Sequence, residues 1–130
     1  MSVPELLPAS EPTRLDEHAV GTRLWVDPGH PVFAGHYPEF PLLPGVFLLD
    51  AVHRAVLRHA KERGLAAREL TEVGSVRFTA PVFPGDTLTV ECTVSAEDGG
   101  WSVRATCRTE RGKSATMRLR YREARNRERS

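Results

Sequence analysis

Three groups that chemistry can use fall within one short stretch: His36, the peptide pair Gly45-Val46, and Asp50, fourteen residues after the histidine. A neutral imidazole, with an ordinary pKa of about 6.5, takes up a proton near neutral pH. Peptide N–H groups at a helix start have no intrahelical partner and can hold a developing oxyanion. A carboxyl against an apolar wall can be kept protonated and then give that proton away. The segment therefore offers a base, an anion site and an acid. Each also has a plainer reading: a histidine in a Pro-rich loop as a structural hydrogen-bonder, and Asp50 as part of a solvated helical stripe, paired with Arg54 at i,i+4.

The elements that must position these groups can be read from local pattern. Residues 28–44 hold five prolines (28, 31, 38, 41 and 44), a spacing that forbids both helix and sheet interior. Pro38, Pro41 and Pro44 each preset φ and leave the loop little entropy, so they can fix His36 against the next element. Pro44-Gly45 opens a long helix that Gly64 ends. Its first half, Val46 to Leu57, is expected to be apolar over most of its circumference, with Asp50, His53, Arg54, Arg58 and Lys61 confined to one stripe. Such a helix must be wrapped. A strand at residues 19–26 precedes it, and β-rich runs at 70–78, 86–95, 101–109 and 114–121 come after it, separated by Gly-containing turns. Alternation puts Leu88, Val90, Cys92 and Val94 on one side of their strand, and Trp101, Val103, Ala105 and Cys107 on one side of the next. The layout is α+β, a curved antiparallel sheet around one central helix.

Composition bounds the rest. The chain has 130 residues, 18 basic and 17 acidic side chains, and a formal net charge of +1. It is read as one domain over residues 19–121, with an irregular leader at 1–18 and an Arg-rich tail at 122–130. Near-neutrality gives no whole-molecule attraction to nucleic acid. No apolar run approaches the length of a membrane span, and the opening MSVPELLPASEP has no signal-peptide pattern, so the chain is expected to be cytoplasmic, with two reduced cysteines in its core. His18, His53 and His59 are expected to be solvated and His30 to serve its turn, and no spacing among them suggests a metal site. A lone domain of this size buries only about two-thirds of its unfolded surface, which favours pairing with a second copy.

The run His36-Tyr37-Pro38-x-x-Pro41-x-x-Pro44-Gly45-Val46, with Asp50-Ala51 after it, resembles the H-F-P-x-x-P-x-x-P-G-V-x-x-x-[E/D]-A signature of the FabZ/FabA-like 3-hydroxyacyl-[acyl-carrier-protein] dehydratases. A second run, Phe78-Thr79-Ala80-Pro81-Val82-Phe83-Pro84-Gly85-Asp86-Thr87-Leu88, is similar to that family's F-x-x-P-V-x-P-G-D-x-L segment. The resemblance covers roughly residues 19–121. It implies the hotdog fold, a homodimer, no cofactor, and an acyl carrier protein presenting the substrate on phosphopantetheine, in fatty-acid or polyketide-type synthesis. It implies His36 as the base, Gly45 with Val46 as the thioester-oxygen site, and Asp50 of the partner protomer as the acid. Tyr37, Pro38, Phe40, Pro44 and Arg54 would then form the acyl tunnel or its scaffold. The chain departs from the pattern at Arg54, where the family usually has Gln; an arginine at i+4 favours an ionised carboxylate. A hotdog thioesterase and a non-catalytic subunit that binds acyl carrier protein are the other readings.

Overall fold

A computed structural model describes residues 11–30 and 43–124. Strands β1 (Glu11–Asp16) and β2 (Ala19–Trp25) come first, then helix α1 (Gly45–Glu62), then β3 (Arg68–Phe78), β4 (Thr87–Glu97), β5 (Gly100–Thr109) and β6 (Gly112–Glu123). The six strands form one antiparallel sheet in the order β1-β2-β4-β5-β6-β3. The sheet folds over α1, which is the hotdog arrangement. Among the described residues no helix is long and apolar enough to cross a membrane.

Period-two alternation makes the inner face. Leu88, Val90, Cys92 and Val94 of β4 and Trp101, Val103, Ala105 and Cys107 of β5 are all buried, as their spacing predicts. The register continues each row: Cys92 faces Ala105, which faces Met117 of β6, which faces Val76 of β3. Both cysteines are free, and burial pushes their thiols up to about 12, so they behave as small core residues.

The helix supplies the other half of the core. Phe47, Leu48, Ala51, Val52, Ala55, Val56, His59 and Ala60 are its buried positions, adjacent pairs repeated every four residues, the mark of a single inward stripe. The apolar surface of α1 is thus narrower than composition suggests: Val46 is 59% and Leu57 36% exposed.

Two further expectations are corrected. The segment read as an irregular leader contributes β1, which pairs with β2 from Glu11 to Asp16 across a register shift near Pro12. All six of its residues are exposed, so backbone pairing holds it and no apolar pattern announces it. His59 is not solvated. It is fully buried, its Nε2 lies 2.8 Å from the Asp16 carbonyl oxygen, and its ring meets Trp101 edge-on at 5.3 Å. It ties the last turns of α1 to the end of β1.

Candidate functional site

Among the described residues, nothing caps the start of α1. Pro44 takes the N-cap position with φ −60° and ψ 146°, no described side chain caps the helix, and the first turn holds no acidic residue. Proline suits this place because it cannot donate a hydrogen bond there in any case. The peptide N–H groups of Gly45 and Val46 therefore carry the positive end of the helix dipole.

Gly45 borders a cavity of about 370 Å³ whose described walls are Leu43, Leu48, Phe78 and residues 79–82. Every described wall residue except Thr79 carries an apolar side chain or, at Gly45, none. Two restraints shape the cavity. The Leu43 N–H donates to the Val82 carbonyl at 2.7 Å, tying the segment before α1 to the segment after β3. The Phe78 ring lies against Gly45 so closely that a Cβ at position 45 would sit 2.5 Å from its Cζ, so only glycine allows this contact.

The far side of the loop is clamped by charge. Asp86 accepts two parallel hydrogen bonds from Arg111, one of them 2.8 Å from Nη1 to Oδ1, and its Oδ2 accepts the Phe83 N–H at 2.7 Å. The Arg111 guanidinium also stacks over the Phe83 ring, 4.8 Å from its centroid. These bonds to the ionised form hold the Asp86 carboxyl below its ordinary value.

Asp50 lies elsewhere on the helix. Five residues beyond Gly45, it is rotated about 140° round the axis, and it does not line the cavity. Its Oδ2 is 3.8 Å from Arg54 Nη1, with both side chains partly exposed, so the i,i+4 pair expected from spacing is present. Within one protomer the structure therefore brings Gly45 to the cavity but not Asp50. His36, Tyr37, Pro38 and Phe40 lie outside the described residues.

The neighbour of that pair needs correcting. His53, expected to be solvated, is half-buried; its ring stacks on Tyr121 at 5.7 Å, and its Nδ1 is 2.8 Å from the Tyr121 hydroxyl. Desolvation lowers its pKa, partly opposed by the charge of Asp50. His18 is exposed and His30 packs edge-on against Phe47. No group of three or more His, Cys, Asp or Glu among the described residues could hold a metal ion. Sequence reasoning did not identify Leu43, Leu48, Phe78 and Val82 as cavity wall, although Phe78 and Val82 belong to the second motif.

Comparison with known proteins bears on this arrangement. The family profile described as ApeI dehydratase matches residues 12–118. A 3-hydroxyacyl-[acyl-carrier-protein] dehydratase FabZ from Staphylococcus saprophyticus is 31% identical over 109 residues, covering 75% of this chain and 74% of that protein. A FabZ from Roseiflexus sp. is 40% identical over 79 residues, 58% of this chain and 54% of that protein. The match thus spans about half the length of the Roseiflexus relative. Among solved structures, the dehydratase heterocomplex ApeI:P from Xenorhabdus doucetiae superposes with a TM-score of 0.68 at 23% identity, covering 89% of this chain and 98% of that one.

Proposed function

The chain belongs to the ApeI-like, FabZ-related dehydratase family, and on that premise we propose that it removes water from 3-hydroxyacyl thioesters carried on acyl carrier protein, in fatty-acid or polyketide-type synthesis. The observation that carries this reading is the uncapped start of α1 opening onto an apolar cavity of about 370 Å³. An acyl chain has apolar surface to bury there, while its thioester oxygen needs hydrogen-bond donors.

The step is an elimination. His36 takes a proton from the α-carbon, and the C–H electron pair moves into the thioester as an enolate. The Gly45 N–H, with Val46, holds the enolate oxygen. The electrons return to form the α,β double bond as the 3-hydroxyl leaves, and Asp50 gives it the proton that makes it water. Transfer from imidazolium to carboxylate, directly or through water, restores the starting state. Arg54, 3.8 Å from Asp50, faces the negative charge that the carboxyl acquires when its proton departs.

Asp50 acts from a second copy of the chain. Its position away from the cavity wall supports this, as does the open edge of β3, where Val73 and Phe78 are exposed, Phe78 at the cavity wall. Two protomers joined at that edge would form a homodimer with shared sites. The soluble carrier and the substrate on its phosphopantetheine arm would be met by the cytoplasmic enzyme at the cavity mouth.

The test uses 3-hydroxybutyryl-carrier thioester, following enoyl product and free thiol together. Enoyl formation that falls about 10²–10⁴-fold in both His36→Ala and Asp50→Asn is expected. Mixing the two inactive variants should restore part of the activity, because each hybrid dimer holds one intact pair. Free thiol without enoyl product would make the protein a thioesterase, and full activity of His36→Ala would overturn the mechanism.

A further inference from the structure

The outer face of the sheet carries a cluster that the elimination does not use. Arg104 of β5 stands directly opposite Arg118 of β6, and Ser75 of β3 comes next in the same row. The following row runs Thr106, Thr116, Arg77, and beyond it Arg108 faces Lys113. Strand alternation turns all of these away from α1, since their neighbours Ala105, Cys107, Ala115 and Met117 are buried. Ser75, Arg104, Thr106, Lys113, Thr116 and Arg118 border a depression of about 260 Å³.

Like charges directly opposite on a ladder repel and cost stability. Elsewhere the outer face avoids this cost: Arg108 pairs with Glu91 at 3.1 Å, and Arg120 lies 3.8 Å from both Glu72 and Glu97. Around the depression, no carboxylate among the described residues comes within ion-pair distance of Arg104, Arg118, Lys113 or Arg77. Two arginines, a lysine and three hydroxyl-bearing residues thus border one small concavity. Planar forks suit the oxygens of a phosphoryl group, which offers several acceptors and more than one negative charge in a compact volume.

We propose that this depression is a binding site for a phosphate-bearing small molecule, separate from the catalytic cavity. Arg104 and Arg118 grip the phosphoryl oxygens, Lys113 closes the cluster from the next row, and the Thr106 and Thr116 hydroxyls donate from the floor. The bound anion removes the repulsion between the two arginines.

Pyrophosphate, inorganic phosphate, adenosine 5′-monophosphate and chloride are to be titrated into the full chain at constant ionic strength, with calorimetric affinity and Tm as readouts. Saturable one-to-one binding of pyrophosphate with a rise in Tm beyond that in chloride is expected, together with at least a tenfold weaker affinity in Arg104→Gln/Arg118→Gln. Binding of adenosine 5′-monophosphate as well would make the natural ligand a phosphate ester, and binding of the inorganic anions alone a free phosphate. In low salt without anion the double variant should melt at or above the wild-type temperature, whereas arginines with a purely structural role would lower it. Dehydration should be unchanged in that variant. Pyrophosphate that stabilises no more than chloride, or a double variant with wild-type affinity, would overturn the proposal.

Discussion

At its C-terminal end, α1 passes its carbonyls to the residues that continue the chain. The Arg63 N–H donates to His59 at 3.3 Å, Gly64 to Lys61 at 3.1 Å and Leu65 to Ala60 at 2.9 Å, with Gly64 in the left-handed region at φ +68°. Basic residues His59 and Lys61 sit in the last turn, where the dipole favours positive charge. At the N-terminal end, among the described residues, there is no side-chain cap and no acidic residue in the first turn, and the Phe78 ring lies against Gly45. Leaving a helix start uncapped costs about 1 kcal/mol relative to a good cap. Satisfying those N–H groups within the fold would remove them from a ligand, so on the proposed reading the end that binds is the one left incomplete.

The strongest way to break this contrast is Gly45→Ala. The new methyl must displace the tip of the Phe78 ring, and Phe78 is 55% exposed, so the side chain has room to give way. The fold should therefore survive nearly intact, while the ring moves into the cavity and the oxyanion donor is blocked. A loss of about 10²–10³-fold in kcat/KM is expected, the scale of losing one oxyanion donor, with Tm lowered only slightly. Phe78→Ala in the same chain should recover part of the activity. If Gly45→Ala turned over at the wild-type rate, the helix start would not be the thioester site.

The opposite end should respond in the opposite sense. His59→Ala removes a fully buried ring and its bond to Asp16, and should cost about 2–4 kcal/mol of stability with kcat of the folded fraction unchanged. Gly64→Ala places a Cβ at positive φ and should cost about 1 kcal/mol, again without a kinetic effect. Denaturant unfolding beside turnover separates these cases, and a kcat change in either variant would show that the two ends are coupled.

How far the sequence reaches depends on which physical signal each feature emits. The inner faces of β4 and β5 were readable because a period of two reports burial directly. β1 was not, since EPTRLD buries nothing and is held chiefly by its backbone ladder with β2. His59 emitted a signal that polarity overrode: Phe47, Ala51, Ala55 and His59 are spaced by four, which places the imidazole on the inward stripe. The same arithmetic separates Gly45 from Asp50 round the helix, so the separation on which the proposed two-protomer site rests was latent in their spacing. Phe78 as cavity wall, and Arg104 opposite Arg118, depend on how distant segments meet, which no local pattern encodes.

The middle of α1 offers the smallest and most discriminating test, because His53 lies between the two regimes. It is half-buried on Tyr121 yet next in line to the Asp50–Arg54 pair. Desolvation lowers its folded pKa below the ordinary 6.5, the charge of Asp50 acting against this. The unfolded chain therefore takes up the proton first as pH falls. The stability contributed by the neutral imidazole is complete above about 6.5 and is lost as pH drops from there through the folded pKa. Melting of wild type against His53→Gln, which stays neutral throughout, should give curves that run together from pH 7 to 8 and separate below 6.5. The wild type should fall further, by no more than about 4 °C. Parallel curves down to pH 5 would mean that the ring titrates like a solvated one and that its stacking on Tyr121 does not shield it from water.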